Sequence, residues 1–171
     1  MKTFDFVIIG GGSAGCVLAD KLSASGKHSV CLLEAGKPDK SWLIHLPIGI
    51  IGLMQSRNVN WQFNSDAEKT LNQREIFTPR GKTLGGSSSI NAMLYVRGQK
   101  QDYDHWHNLG NKGWSFDEVL PYFKALEHQE RGEDDFHGIN GALNVADSVS
   151  KPAVNEDFIQ SAVAAGYPEN N

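Results

Sequence analysis

Three closely spaced glycines near the N-terminus are the first candidates for a binding site in this chain. Gly10, Gly12 and Gly15 have the spacing G-x-G-x-x-G, and they directly follow the apolar, β-branched run Val7-Ile8-Ile9. In a strand–turn–helix unit, the first glycine allows a tight turn, the second lets the backbone approach a pyrophosphate, and the third lets the helix pack on the strand. Because the free N–H groups at the helix start then face the phosphates, the motif predicts a dinucleotide site.

The strand and helix predicted after the glycines match a dinucleotide-binding βαβ unit. A second apolar strand is predicted over Ser29 to Leu33, and it ends at Glu34, nineteen residues after Gly15. A carboxylate at that distance can accept hydrogen bonds from both hydroxyls of an adenosine ribose, and it would repel a 2′-phosphate. The sequence therefore favours FAD or NAD over NADP, and the alternative is a βαβ unit whose Glu34 is merely exposed at a strand end. An apolar stripe is predicted on the intervening helix, formed by Ala14, Val17, Leu18 and Leu22.

Composition narrows the function classes. The chain has 171 residues and a net charge of −4, with 16 basic and 20 acidic residues, which argues against a nucleic-acid partner.

Cys16 and Cys31 fall on elements that must pack together, so we expect both to be buried and reduced. The first strand begins too early to leave room for a signal peptide, which favours a cytoplasmic location, with attachment to the surface of the inner membrane as an alternative.

The region 37–79 lacks helical and strand periodicity, apart from a short alternating segment at Asn58 to Phe63. We expect it to be a long loop that covers part of the ligand. Its apolar run, Leu43 to Met54, is too short and too broken to cross a bilayer, so no transmembrane segment is predicted. A buried loop or short helix is the preferred interpretation, and a lid, an entrance for an apolar substrate or a membrane-contacting surface is the alternative.

A second glycine-rich stretch follows, from Arg80 to Gly98. Gly85 and Gly86 permit a turn whose successive N–H groups could form a nest for an anion, and the adjacent serines add hydroxyl donors. Two such sites in one short chain indicate a single long ligand that carries phosphate.

This second stretch closely resembles the first signature of the glucose-methanol-choline (GMC) family of flavin oxidoreductases. The agreement runs from Gly81 through Gly85-Gly86-Ser87-Ser88, Ile90-Asn91, Tyr95 and Gly98 to Asp104. The first glycine motif with Glu34 is similar to the same family's FAD fingerprint. Later segments also resemble it, namely Gly113-Trp114-Ser115, Leu120-Pro121-Tyr122-Phe123 and His137-Gly138.

The resemblance implies an α/β fold, a Rossmann-like FAD-binding fold of the GMC type. Members of the family are several times longer than this chain, so the fold is expected to be incomplete here. The implied domains are an N-terminal portion of the FAD-binding domain at 1–110 and the beginning of an α+β substrate domain at 111–171, which continues beyond the chain.

The resemblance also implies FAD as the cofactor. Some members attach the flavin covalently through a histidine immediately before the matching asparagine, but this chain has Ile90 there, so non-covalent binding is expected. The implied FAD-binding residues are Gly10, Gly12, Ser13, Ala14 and Gly15 at the pyrophosphate, Glu34 and Ala35 at the adenosine ribose, Arg80, Gly81, Leu84, Gly85 and Gly86 along the diphosphate and ribityl chain, and Asn91, Ala92, Met93 and Leu94 beside the isoalloxazine.

The implied activity is that of bacterial choline dehydrogenases and aliphatic alcohol dehydrogenases. Those enzymes oxidise an alcohol to an aldehyde by hydride transfer to FAD, and their catalytic histidine comes from the C-terminal part, so no catalytic residue is expected in this chain. The expected partners are a primary alcohol, a quinone or other electron acceptor, and the rest of the same polypeptide. The alternatives are an NAD-dependent Rossmann oxidoreductase and a truncated, non-catalytic flavin-binding module.

The remaining patterns concern helices and strands. A helix is predicted over Lys100 to Asn108 with Tyr103 and Trp106 inward, and no metal site is expected at its histidines, which face different sides. A capping box at Ser115 to Glu118 predicts a second helix that Pro121 kinks or splits. A short strand is predicted at the end of 137–145, followed by a helix over Asn155 to Ala165 with Phe158, Ile159, Ala162 and Val163 inward.

Overall fold

A computed structural model of the chain describes residues 2–169. The chain divides into two compact units, the first ending at Leu94 and the second beginning at Tyr95. The domain limits at 110 and 111 stay a prediction. The helices are α1 Ser13–Ser23, α2 Ile50–Gln55, α3 Lys100–Asn108, α4 Phe116–Leu126 and α5 Ala153–Ala164. The strands are β1 Phe6–Ile9, β2 Val30–Leu33, β3 Phe63–Asn64, β4 Phe77–Thr78, β5 Glu127–Gln129 and β6 Leu143–Val145.

The first unit begins with the predicted β1–α1–β2 unit. β1 and β2 pair in parallel, from Phe6 opposite Val30 to Ile9 opposite Leu33. The absence of a side chain at Gly15 lets α1 pack closely on β1, since a Cβ atom there would lie 1.9 Å from the carbonyl oxygen of Gly10. The turn also needs glycine at Gly10, whose φ is +101°. The prediction of two parallel strands joined by a helix is therefore confirmed.

The apolar surface of this unit differs from the prediction. Val7 and Ile9 of β1 are 57% and 88% exposed, and Leu18 of α1 is 50% exposed. A parallel sheet is normally covered on both faces, but among residues 2–169 only α1 crosses between these two strands. An apolar, β-branched run is typical of a parallel strand that is covered on both faces, but in the described residues the apolar side chains of β1 and α1 stay largely exposed. Cys16 and Cys31 are free thiols as expected, but they are only half-buried.

The region 37–79 contains more regular structure than its pattern predicts. It contains α2, the 3-10 turns Pro47–Gly49 and Lys69–Leu71, and a small antiparallel ladder in which Phe63 of β3 faces Thr78 of β4. Short helices and strands therefore interrupt the expected loop, because the pairing of β3 with β4 does not follow from local periodicity. Its expected role as a cover over the ligand stays a prediction.

The apolar run does form the short helix that was preferred, but it is buried on one side only. Leu53 is 3% exposed, whereas Ile48 and Ile51 are 75% and 73% exposed. Among residues 2–169, no helix is long and apolar enough to cross a membrane.

In the second unit, α3 and α4 pack through aromatic side chains. Tyr103 is 8% exposed and its ring contacts those of Trp106, Phe116 and Phe123 at centroid distances of 5.4, 6.0 and 5.6 Å. The bounds of α3 are as predicted, but Trp106 is 45% exposed and so only partly inward.

The capping box of α4 is confirmed. The backbone N–H and the hydroxyl of Ser115 both donate to the carboxylate of Glu118, at 3.0 and 2.6 Å. These bonds hold the pKa of Glu118 below its usual range. Pro121 does not split the helix, which runs continuously to Leu126.

The end of the second unit contains one strand pair that the pattern did not predict. β6 forms at the expected position, and it pairs in parallel with the unpredicted strand β5. The last helix, α5, starts two residues earlier than predicted. Phe158, which was expected on its inner face, is 75% exposed. Its predicted burial is therefore wrong for the described residues.

His137 has a structural role in the loop before β6. Its Nδ1 atom lies 3.0 Å from both carboxylate oxygens of Asp134, which also accepts hydrogen bonds from the backbone N–H groups of Phe136 and His137 at 2.7 Å. These contacts, led by the His137 side chain, lower the pKa of Asp134 to about 2.

The most deeply buried ionic group of the second unit is Glu127, at 0% exposure, which pairs with the largely buried Arg97. The Arg97 guanidinium also donates to the carbonyl of Phe136 at 2.5 Å and lies 5.1 Å from the centroid of the Phe123 ring. This pair therefore connects the start of the unit to β5 and to the loop before β6.

We predict that Glu127→Gln destabilises the second unit by about 3 kcal/mol, because it leaves the Arg97 charge buried without an opposite charge. Urea unfolding followed by tryptophan fluorescence measures this. Asp117→Asn is the matched control, since Asp117 forms an exposed pair with Lys100, and its unfolding midpoint should stay close to that of the parent chain. Equal midpoints for Glu127→Gln and Asp117→Asn would contradict the assignment.

Candidate cofactor site

The first unit contains a cleft of about 640 Å³ at the end of its parallel sheet. This volume lies within the range of small-molecule and cofactor pockets. Seven of the predicted site residues line the cleft together, namely Gly10, Gly12, Glu34, Ala35, Arg80, Gly81 and Gly86. The two glycine-rich stretches, Gly10 to Gly15 and Gly81 to Gly86, are far apart in sequence and therefore meet at one cavity only through the fold.

The N-terminus of α1 provides the first wall. Its first intrahelical bond runs from the N–H of Cys16 to the carbonyl of Gly12, at 2.9 Å, so the three preceding N–H groups have no partner within the helix. No acidic side chain occupies the first turn to neutralise the positive end of the helix dipole. Ser13, Ala14 and Gly15 form this turn without themselves lining the cleft. The arrangement can stabilise an anion beside Gly12.

Gly12 leaves space at this position. A Cβ atom on Gly12 would have no neighbour closer than the Cα of Gly86, at 3.9 Å. Because Gly12 lines the cleft, a methyl group there would fill part of the volume where a ligand's phosphate would lie.

Glu34 is held at the end of β2 by two backbone donors. The N–H of Gly11 donates to its Oε2 at 2.7 Å, and the N–H of Gly36 donates to its Oε1 at 2.8 Å. A carboxylate offers about four acceptor positions, so both oxygens keep acceptor capacity for other donors. Because Glu34 also lines the cleft, its carboxylate can accept hydrogen bonds from ligand hydroxyl groups while it stays fixed to the protein.

The second glycine turn contacts the first directly. The N–H of Gly85 donates to the carbonyl of Gly11 at 2.7 Å, and the N–H of Gly86 donates to the carbonyl of Thr83 at 2.8 Å. The prediction that these two N–H groups form an anion nest is therefore wrong, because both already have backbone acceptors. Gly86 has a φ of +59°, and a Cβ atom there would lie 2.8 Å from the Cα of Gly12. The second turn thus fixes the position of the first.

The hydroxyl groups of the serines in the second turn also form hydrogen bonds within the loop. Ser87 accepts a hydrogen bond from the N–H of Gly81 at 3.0 Å, and the hydroxyls of Ser88 and Ser89 donate to the carbonyls of Gly85 and Leu84 at 2.6 and 2.8 Å. Their hydroxyls shape the turn, and Ser87 also lines the cleft.

Asn60 positions the segment that carries Arg80 and Gly81. The side chain of Asn60 is 2% exposed, and its Oδ1 accepts the N–H of Arg80 at 3.0 Å while its Nδ2 donates to the carbonyl of Met54 at 2.9 Å. Gly81 passes so close to Gly86 that a Cβ atom would lie 2.1 Å from the Gly86 carbonyl oxygen. Arg80 lines the cleft, and its guanidinium donates to the carbonyl of Pro79 at 2.7 Å.

The cleft also has apolar walls that the sequence argument missed. Trp61 and Phe63 stack with their ring centroids 5.8 Å apart and an interplanar angle of 7°, and both line the cleft with Ile9 and Leu33. The alternating segment Asn58 to Phe63 could have indicated this wall from the sequence, because residues two apart on an extended chain share a face. Two aromatic residues on one face could therefore have been proposed as a wall for a planar ligand.

The last group of predicted residues lies outside this cleft. Asn91 and Met93 line a separate cavity of about 130 Å³ together with the apolar run, including Ile44, Leu46 and Leu53. Met93 has a φ of +58°, and its N–H donates to the Oδ1 of Asn91 at 2.9 Å. Leu84, Gly85, Ala92 and Leu94 line neither cavity.

The comparisons with known proteins agree on one family. A family model described as GMC oxidoreductase matches residues 4–171. The chain is 48% identical over 171 residues to an oxygen-dependent choline dehydrogenase of Vibrio vulnificus (strain YJ016), covering 98% of this chain and 30% of that protein. It is 46% identical over 163 residues to an alcohol dehydrogenase [acceptor] of Pseudomonas putida, covering 95% of this chain and 30% of that protein.

Solved structures agree with these relatives. The fold matches pyridoxine 4-oxidase from Mesorbium loti with a TM-score of 0.86 and 36% identity, covering 97% of this chain and 33% of that one. It also matches an FAD-dependent oxidoreductase from Chaetomium thermophilum with a TM-score of 0.81 and 30% identity, covering 97% and 30% of the two chains. The chain thus spans about a third of the length of the proteins that it matches.

Two alanine variants should separate the structural and the ligand-facing glycines of the cleft. We predict that Gly86→Ala lowers the free energy of unfolding by about 2 kcal/mol or more, because it combines a positive φ with a backbone contact at 2.8 Å. Gly12→Ala should leave it nearly unchanged, since the new methyl group enters open space. Thermal unfolding followed by circular dichroism measures both variants. A Gly86→Ala chain as stable as Gly12→Ala would contradict the close approach of the two turns.

Proposed function

Because this chain belongs to the GMC oxidoreductase family, we propose that it is the FAD-binding N-terminal portion of a flavoenzyme that oxidises a primary alcohol to an aldehyde. The observation that carries the proposal is the meeting of both glycine turns and Glu34 at one cleft. The names of the relatives support the reaction class, since they are a choline dehydrogenase and an alcohol dehydrogenase. A partial Rossmann-like α/β fold agrees with the solved flavoenzyme structures.

The residues of the cleft fit the adenosine diphosphate half of FAD. The first turn of α1 would stabilise the negative charge of the pyrophosphate, with Gly12 leaving room for its close approach. Glu34 would accept hydrogen bonds from the ribose hydroxyls through the acceptor positions that Gly11 and Gly36 leave free. Arg80, Gly81 and Gly86 would lie along the diphosphate. The flat faces of Trp61 and Phe63 would exclude water from one side of the cleft.

We propose that the flavin end lies beside Asn91, Ala92, Met93 and Leu94. When bound, FAD supplies the hydride acceptor of the reaction. The cavity at Asn91 and Met93 is lined by aliphatic residues of the apolar run and by polar residues, among them Asp39, Ser88 and Ser89, so it offers a substrate both apolar and polar contacts. The catalytic histidine is proposed to lie in sequence that this chain does not contain, and a quinone or another acceptor is proposed to reoxidise the flavin.

Non-covalent attachment of FAD is part of this proposal. Ile90 occupies the position before Asn91, where some members of the family have the histidine that bonds to the flavin. Its side chain is aliphatic and 3% exposed, so it offers no nucleophile and packs in the interior. The NAD-dependent alternative is not favoured, because the family model spans both glycine turns.

We predict that Glu34→Gln weakens FAD binding about tenfold, since hydrogen bonds to a charged acceptor are stronger than those to a neutral one. Titration of the purified chain with FAD, followed by quenching of flavin fluorescence, measures the dissociation constant. Glu75→Gln is the matched control, because Glu75 is an exposed carboxylate of the same unit that does not line the cleft. Unchanged FAD affinity in Glu34→Gln would refute the assigned role of Glu34.

A further inference from the structure

The first unit has a further pocket besides the cofactor cleft and the cavity at Asn91 and Met93. It has a volume of about 310 Å³ and is lined by Arg57, Asn60, Trp61, Gln62 and Lys82. It shares only Trp61 with the cofactor cleft. Two of its five residues are cations and none is acidic, although the whole chain has a net charge of −4.

Arg57 is oriented by its neighbours. Its Nε donates to the Oε1 of Gln62 at 3.2 Å, and the Nε2 of Gln62 donates to the carbonyl of Gln55 at 2.8 Å. Gln62 itself has a φ of +56°, a left-handed conformation that non-glycine residues seldom adopt. The hydrogen bond from Nε therefore fixes one edge of the guanidinium. Its terminal N–H groups remain available to donate to a planar acceptor that has two oxygens.

Lys82 supplies the second charge from a fixed backbone. Its N–H donates to the carbonyl of Val59 at 2.7 Å, and its Nζ lies 4.4 Å from the centroid of the Trp61 ring. Within residues 2–169, neither Lys82 nor Arg57 forms an ion pair with a carboxylate. Two unpaired cations therefore face one small pocket.

The floor of the pocket is rigid. Asn60 is 2% exposed, and its amide makes hydrogen bonds to Met54, Gln62 and Arg80 at 2.9 to 3.0 Å. Because these bonds use both ends of the amide, Asn60 shapes the pocket while Arg57 and Lys82 supply its charge.

We propose that this pocket binds a small oxyanion, a phosphate or a carboxylate group. The guanidinium would donate two hydrogen bonds to a pair of oxygens, and the ammonium of Lys82 would add a point charge beside the indole of Trp61. The two cations of this site do not line the cofactor cleft, and Trp61 is the residue that both cavities share.

Isothermal titration of the chain with inorganic phosphate, and separately with acetate, at constant ionic strength tests the proposal. We expect saturable binding of at least one of the two, and the tighter one identifies the preferred oxyanion. Arg57→Gln and Lys82→Gln should each weaken that binding at least fivefold, and Arg57→Lys should weaken it less than Arg57→Gln. Arg74→Gln is the matched control, since Arg74 is exposed in the same unit and lies outside the pocket, and it should bind like the parent chain.

Three results would overturn the proposal. The first is the absence of saturable binding of both anions. The second is unchanged binding in Arg57→Gln and Lys82→Gln chains whose circular dichroism matches that of the parent. The third is binding that is lost in Gly12→Ala and kept in Arg57→Gln, which would place the anion in the cofactor cleft.

Discussion

The backbone of Gly11 makes the two hydrogen bonds on which the rest of the first unit depends. Its N–H donates to Glu34 after β2, and its carbonyl accepts the N–H of Gly85 from the second glycine turn. A Cβ atom on Gly11 would lie 3.1 Å from the side chain of Leu84 and 3.3 Å from Oε2 of Glu34. One residue therefore joins the dinucleotide motif, the acidic residue of the fingerprint and the family signature, which brings three separate segments to a single cleft.

The parts of the fold that follow local rules were predictable from the sequence. The strand–turn–helix at Gly10 to Gly15, the parallel partner strand before Glu34, and the bounds of α3 all follow from periodicity and from residues with special backbone freedom. The capping box at Ser115 and Glu118 is equally local, since its donor and acceptor are three residues apart. The presence of two glycine-rich stretches in one short chain already indicated a single long ligand, and the resemblance then implied that this ligand is FAD.

The stack of Trp61 on Phe63 was missed although its residues are only two apart, whereas the other missed features depend on contacts between distant segments. The β3–β4 ladder and the buried Arg97–Glu127 pair join residues that local patterns do not relate. The predicted anion nest failed for the same reason, because Gly85 donates to Gly11 instead of to a ligand. The exposed side chains of Val7, Ile9 and Phe158 show that periodicity predicts which residues share a face, while burial depends on what packs against that face.

If this chain is the FAD-binding portion of a GMC oxidoreductase, the visible absorbance spectrum of the purified chain should show the two bands of oxidised flavin after incubation with FAD and gel filtration. Acid should then release all of the nucleotide as intact FAD. A folded chain that stays colourless after incubation with FAD would show that the cleft does not hold the flavin, and colour that remains with the acid precipitate would rule out non-covalent attachment.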